Sequence, residues 1–422
     1  MTRAMQRWTV FLLALMAIRY SAVQAADWPQ YRGPNHDGIS DESATLPWPS
    51  GGPKVVWKVP TTDGFSSFAV GEGEAFTVVS RDEKEVCIAL DAKTGKELWA
   101  VPVDVAEYDK GGESGAVGNK GGDGPRSTPS VSDGMVYVFT PHLVLYCLDA
   151  KTGKQAWQVD LMKEHAGRNI GWNSAASPVI DGDLVFVAGG GAGQSFLGID
   201  KKTGRVAWKG QDEKITHATP IVATLLGERQ VIFFTQFGLV SVAAATGNPL
   251  WRFHFDYHTS TAASPVVCGD IVYCSAGYDV GGGACRITKS GSAFTATKIW
   301  RIPTNKFVAN HWSTPVYKDG YLYGMFSFKR YGVGPFKCVN VATGKVEWDQ
   351  PGFGAGNVIM VNNKLLALAD DGELVVIDPT PSGYKELART QVIEGKCWST
   401  PAFSDGLIYV RSTKEGACLD PR

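Results

Sequence analysis

Apolar residues recur along this chain in short alternating runs, not at helical spacing. In the stretch 127–161, "STPSVS" reads as a short strand and Asp133-Gly134 as a tight turn. "MVYVFT" and "LVLYCLD" alternate as the next two strands, "AKTGK" turns the chain, and "QAWQVDL" is a fourth strand. Asp-Gly between alternating apolar runs is a strong hairpin signal, because both central residues take positive φ. The stretch predicts a four-stranded antiparallel meander.

The same grammar recurs. First strands begin at "SSFAV" (Ser66), "STPSV" (Ser127), "ASPVI" (Ala176), "ATPIV" (Ala218), "ASPVV" (Ala263), "STPVY" (Ser313), "GNVIM" (Gly356) and "STPAF" (Ser399), marking eight units. Fourth strands carry Trp99, Trp157, Trp208, Trp251, Trp300 and Trp348, whereas the seventh unit has Leu387-Ala388 there. The eighth unit stops after a third strand, "GACLD", and "PKVVWKV" (53–59) is spare at the other end, with Trp57 where the fourth-strand tryptophan belongs. Closing the ring with that early strand leaves no open edge. The expectation is an all-β fold, an eight-bladed β-propeller of four-stranded antiparallel blades, with residues 26–52 as a lead-in and 53–422 as the propeller.

Each turn between third and fourth strands follows one pattern. Asp91, Asp149 and Asp200 stand eight residues before Trp99, Trp157 and Trp208; Asn340 and Ala243 keep that interval to Trp348 and Trp251. The Asp carboxylate can accept turn amides, and Gly95 supplies a left-handed residue. Residues repeated in every unit read as architecture, so the tryptophans, Trp57 included, are expected to wedge against the next blade and not to catalyse.

Composition narrows the setting. The chain is 44% hydrophobic and 20% charged, with a formal net charge of −1, so it can bury a core and offers no basic footprint for nucleic acid. Residues 1–25 read as a secretory signal: Arg3 and Arg7, an apolar run from Trp8 to Ile18 too short to span a bilayer, and "VQA" before the cut. Its removal takes three basic residues and no acidic ones, giving a charge of −4. The expectation is an exported, monomeric protein, periplasmic or extracellular, with no membrane span. The eight cysteines are scattered through strand-like runs, which favours buried thiols; Cys274 and Cys285 could face each other across neighbouring strands.

The pattern Ala89-x-Asp91-x-x-Thr94-Gly95-Lys96-x-x-Trp99 resembles the tryptophan-docking motif of quinoprotein (PQQ-type) β-propellers, and "DWPQYRGPNHDGIS" (27–40) is similar to the lead-in of exported bacterial PQQ-like repeat proteins. The resemblance implies one of two functions. One is a dehydrogenase holding pyrroloquinoline quinone beside calcium in a central funnel and oxidising an alcohol or sugar. The other is a cofactor-free propeller that binds proteins, like the lipoprotein of the outer-membrane β-barrel assembly machinery. The adjacent cysteines and Cys-x-x-Cys-His haem sequence of the larger dehydrogenases are absent. The expectation is a non-catalytic binding or scaffold protein without cofactor or metal, with quinone plus calcium as the alternative; no catalytic residue is assigned.

Inner strands line a propeller's channel, so residues just before each Ser/Thr-Pro should ring one entrance. They are Phe65, Arg126, Trp172 with Asn173, His217, His258, His311 with Trp312, and Trp398. Such a mixture can stack on and hydrogen-bond a planar or sugar-like ligand, or a protein loop, although aromatic residues there can equally plug the ring. Arg126 is the expected anion contact. Two insertions, 103–124 and 329–336, could reach over the rim.

Overall fold

In a computed structural model, the protein is described over residues 27–107, 124–257, 261–304, 306–326 and 333–422. The leader (1–25), His258, most of the insertion 103–124, and residues 329–332 lie outside them. The strands form eight sheets. Blade 1 runs from Ala69–Gly71 at the axis through Glu74–Arg81 and Lys84–Asp91 to Glu97–Val105 at the rim. Blades 2 to 6 repeat that meander. Blade 8 takes its outer strand, Lys54–Pro60, from the start of the propeller; it pairs antiparallel with Glu415–Asp420, Lys54 opposite Asp420. The sequence-based architecture therefore stands, closure included.

The cross-strand register explains the repeated residue types. Each outer-strand tryptophan lies opposite a small residue of the third strand, which lies opposite an aromatic of the second, except in blade 4, where Trp251 and Ser241 are backed by Ile232. Trp99, Ala89 and Phe76 form one such row; Trp157, Cys147 and Tyr137 a second; Trp208, Gly198 and Phe186 a third. Trp348, Cys338 and Tyr323, and Trp57, Cys418 and Tyr409, follow. Ring centroids in these rows are 5.8–6.2 Å apart. A larger residue between the rings would collide, since even a Cβ on Gly198 would stand 2.5 Å from Trp208. Blade 7 inverts the row: with Ala388 outermost, the middle position is Val376. Three of the eight cysteines are thus small spacers. All eight are free and buried, and Cys285 faces Val272, so no disulfide joins it to Cys274.

Two belts couple the blades. Near the rim, the indole N–H of one blade donates to a backbone carbonyl in the next blade's Thr-Gly turn, which opens on Asp, Asn or Ala: Trp57 to Ala92 O (2.9 Å), Trp99 to Ala150 O (2.7 Å), Trp208 to Ala244 O (2.9 Å) and Trp300 to Val341 O (2.7 Å). Asp91 Oδ1 shapes the receiving turn by accepting from the amide and hydroxyl of Thr94, both at 2.8 Å. Gly153 is needed twice over: its φ is 69°, and a Cβ there would meet Trp99 at 2.8 Å. Trp251 departs from the pattern. Blade 5 carries a long hairpin, Gly281–Ser290 with Ala293–Ile302, in place of the turn, and Trp251 donates to Gln230 Oε1 of its own blade.

The inner belt uses the Ser/Thr of each Ser/Thr-Pro pair. The residue before proline is held extended, which aims its side chain and amide sideways. Thr400 N donates to Ser67 Oγ, Ser67 N to Thr128 Oγ1, Thr128 N to Ser177 Oγ, and Ser177 N to Thr219 Oγ1, all at 2.8–2.9 Å. Ser264 continues the circuit to Thr219 O and Thr314 Oγ1. Trp312 Nε1 to Ala355 O and Asn357 Nδ2 to Trp398 O complete it.

Strand directions give the ring two unlike faces. First-to-second hairpins and third-to-fourth turns share one, the turn face; second-to-third hairpins and the links between blades share the other, the mouth face. The lead-in crosses the turn face at the axis. Trp28 O accepts from Val70 N of blade 1, Pro29 O from Val131 N of blade 2, and Gln30 Oε1 from Ile180 N of blade 3. The buried Arg32 guanidinium donates to Thr314 O and Pro315 O of blade 6. Ile39–Ser40 then pairs parallel with the inner strand of blade 7, and Glu42 accepts from Gly406 N of blade 8. Further on, Trp48 is buried in a cluster that Leu387 and Ala388 pack against, at the seam where blade 7 has no tryptophan.

Candidate functional site

The inner belt fixes the residues one step nearer the mouth. The strict equivalents are Phe65, Arg126, Ala175, His217, Ala262, Trp312, Ala355 and Trp398, because each precedes the belt hydroxyl, or Asn357 in blade 7, by two positions. The sequence-based ring placed Trp172 with Asn173, His258 and His311 at that level; in the described residues, small side chains hold the blade 3, 5 and 7 positions.

On one side the rings meet. Trp312 and Trp398 have centroids 4.2 Å apart, and Phe65 lies 4.6 Å from Trp398. His311 is 4.5 Å from Trp312, and Tyr278 is 5.2 Å from His311. Lys396 Nζ stands 4.6 Å over the Trp398 ring, a cation–π contact. Trp398 is 8% exposed and His311 4% exposed, while Phe65 and Trp312 keep partly open edges.

On the other side, Arg126 is partly exposed and donates to Trp172 O on the link between blades 2 and 3. Trp172 and Asn173 both have positive φ, 65° and 57°, which is costly for a bulky side chain. The Asn173 amide is engaged by Glu107 O, Asn169 and His142. His142 Nδ1 is 2.9 Å from Asp104 Oδ1, and that carboxylate holds the imidazole pKa above its ordinary value. His217 is buried beside this turn; burial, then the Arg126 charge, push its pKa down to about 3, so it is neutral at pH 7. Sequence reasoning missed Lys396, on the link between blades 7 and 8, and Tyr278 and the Asp104–His142 pair, on hairpins or a strand end outside the Ser/Thr-Pro signal.

A quinone with calcium would have to sit among these side chains. A planar cofactor needs a free aromatic face, and Trp398 is enclosed by Phe65, Trp312 and Lys396. Trp398 therefore offers no free face for a stacked quinone. Among the described residues no three His, Cys, Asp or Glu side chains converge to hold a metal ion.

Residues 82–325 match the family model described as outer membrane protein assembly factor BamB. Among curated relatives, quinohemoprotein alcohol dehydrogenase ADH-IIG of Pseudomonas putida is 30% identical over 128 residues, 29% of this chain and 16% of that one. Tetrathionate hydrolase of Acidithiobacillus ferrooxidans is 24% identical over 267 residues, 63% and 44% of the respective chains. The chain thus spans less than half the length of these relatives. BamB from Moraxella catarrhalis superposes with a TM-score of 0.59 at 15% identity, covering 87% of this chain and 97% of that one. Quinohemoprotein alcohol dehydrogenase from Comamonas testosteroni gives 0.62 at 13% identity, covering 94% and 80%. These likenesses establish a shared fold.

Proposed function

The chain belongs to the family of outer membrane protein assembly factor BamB, and on that premise we propose that it is an exported, non-catalytic binding propeller that seats a protein or glycan partner on its mouth face. The observation that carries this reading is the packed mouth: Trp398 is enclosed between neighbouring rings, while the edges of Phe65, Trp172 and Trp312 and the Arg126 side chain remain partly open. Partly open aromatics beside a cation suit recognition of a sugar face or a protein loop. The opposite face supports the same reading, because tight turns and the lead-in cover it.

The quinoprotein dehydrogenase is the alternative, supported by the curated relatives. The purified full chain, given pyrroloquinoline quinone and calcium, is expected to show no alcohol- or sugar-dependent dye reduction and no bound quinone absorption. Either signal overturns the binding reading. In thermal-shift screening against defined oligosaccharides and peptides, a ligand that raises Tm should lose its effect in Trp312→Ala and keep it in Lys202→Ala on the turn face.

A further inference from the structure

The mouth face leaves the other end of the channel to be explained, and the chain's own residues 27–45 occupy it. Their core is a knot from Arg32 to Gly38. Gly38 N donates to Arg32 O at 2.9 Å, and Arg32, Gly33, His36 and Gly38 all have positive φ. The Arg32 guanidinium stitches the knot to blade 6, donating to Asp37 O at 2.7 Å, Thr314 O at 2.8 Å and Pro315 O at 2.9 Å. The grip is mostly on backbone carbonyls, which do not change with pH.

One group in the knot does change. His36 is buried, its Nε2 lies 3.4 Å from Gln30 Nε2, and its Nδ1 has no hydrogen-bond partner. Gln30 in turn holds both the N–H (2.9 Å) and the C=O (3.3 Å) of Ile180 in blade 3. The charged groups facing His36 are Arg32 on its own segment, Asp181 of blade 3 and Arg229 of blade 4; Asp37 neighbours it in the chain. Asp181 is already paired with Arg229, with Nε–Oδ2 at 3.0 Å. A proton on His36 would place a third cation near two guanidinium groups, with His36 and Arg32 buried, the Asp181–Arg229 pair partly open to solvent, and the Ile180 backbone the nearest group favouring the charge.

We propose that residues 27–45 are a releasable plug: protonation of His36 unseats the Arg32–Gly38 knot from the turn-face end of the channel while the eight blades remain folded. The link to the outer strand of blade 8 stays anchored, because Trp48 is buried separately in the blade 7–8 cluster. Burial holds the His36 pKa down at about 4, so the plug is seated at pH 7 and strained in acid.

Hydrogen exchange on the full chain, read by mass spectrometry and corrected for intrinsic rates, tests this. From pH 7 to pH 4.5, peptides covering 28–40 and the plug-bonded amides of Val131 and Met360 should lose tenfold or more of their protection, while peptides from the blade 4 and blade 8 cores keep theirs. His36→Gln should retain plug protection at pH 4.5, and Arg32→Met should lose it at both pH values. Unchanged plug protection in acid, loss in step with the blades, or His36→Gln behaving as wild type would each overturn the proposal. If circular dichroism shows His36→Gln misfolded, NMR of labelled histidine decides: His36 titrating in step with plug release supports the proposal, and His36 titrating with the plug seated overturns it.

Discussion

Single positions in this protein are constrained by what stands directly across the sheet. Cys147 separates Tyr137 from Trp157, so Cys147→Ala should cost little, whereas Cys147→Leu forces two rings apart and should lower stability by about 1–3 kcal/mol in chemical denaturation. The cysteines themselves should be inert. Burial pushes the Cys147 thiol up to about 12, and all eight are enclosed, so Ellman's reagent should find no reactive thiol until the protein unfolds. Several titrating thiols in the native state would refute that burial. This layering was readable in the chain: Ala89, Cys147, Gly198, Cys338 and Cys418 each stand two residues before the Asp or Asn that ends a third strand, and Val376 appears where the tryptophan is missing. The side chains at the mouth were less legible. Sequence position gives a level along the channel but not a direction, so Asn173, assigned to the ring, is instead bound to Asn169 and His142.

At the level of elements, the unit of stability is the seam and not the blade. A blade cannot bury both faces alone, so neighbours must be held in register. Trp99→Phe keeps most of the apolar contact but loses the indole donor to Ala150 O, and should cost about 1 kcal/mol; Gly153→Val strains a left-handed residue and strikes the same ring, so it should cost more. Equal losses for the two variants would argue against ring-on-glycine docking. The closing seam has its own device. Arg411, fully buried on blade 8, donates to Ser66 O, Thr77 Oγ1 and Val78 O of blade 1 at 2.7–2.8 Å. Arg411→Met strands those acceptors and should destabilise by about 3 kcal/mol or more, detected as a lowered denaturation midpoint. The strand count and the blade 8 closure were legible because hairpin turns and period-2 alternation are local. The role of the lead-in was not, because it binds through backbone amides and carbonyls of the blades' inner strands, which no side-chain pattern announces.

The whole molecule should respond to acid in a defined sense. His36 and His217 have native pKa values depressed to about 4 and about 3, against about 6.5 in an unfolded chain. The unfolded state therefore takes up protons first as pH falls below about 6.5, and each histidine should cost up to about 2 kcal/mol by pH 5. Asp27, Asp37 and Glu42, whose pKa values burial raises, favour the folded state at lower pH and oppose the trend only as they begin to protonate. Tm should thus fall between pH 7 and pH 5, and the double variant His36→Gln/His217→Gln should flatten the profile; a profile as steep as wild type would exclude these two groups as its origin.

The pairing of Lys54–Pro60 with Glu415–Asp420 also sets a schedule for biogenesis. Seven blades can assemble from contiguous segments as they emerge from the ribosome or translocation pore. The eighth must wait for residues near 420, and until then the edges on either side of the gap stay unpaired and open to misassociation. Only the pairing of Lys54–Pro60 with Glu415–Asp420 closes that gap.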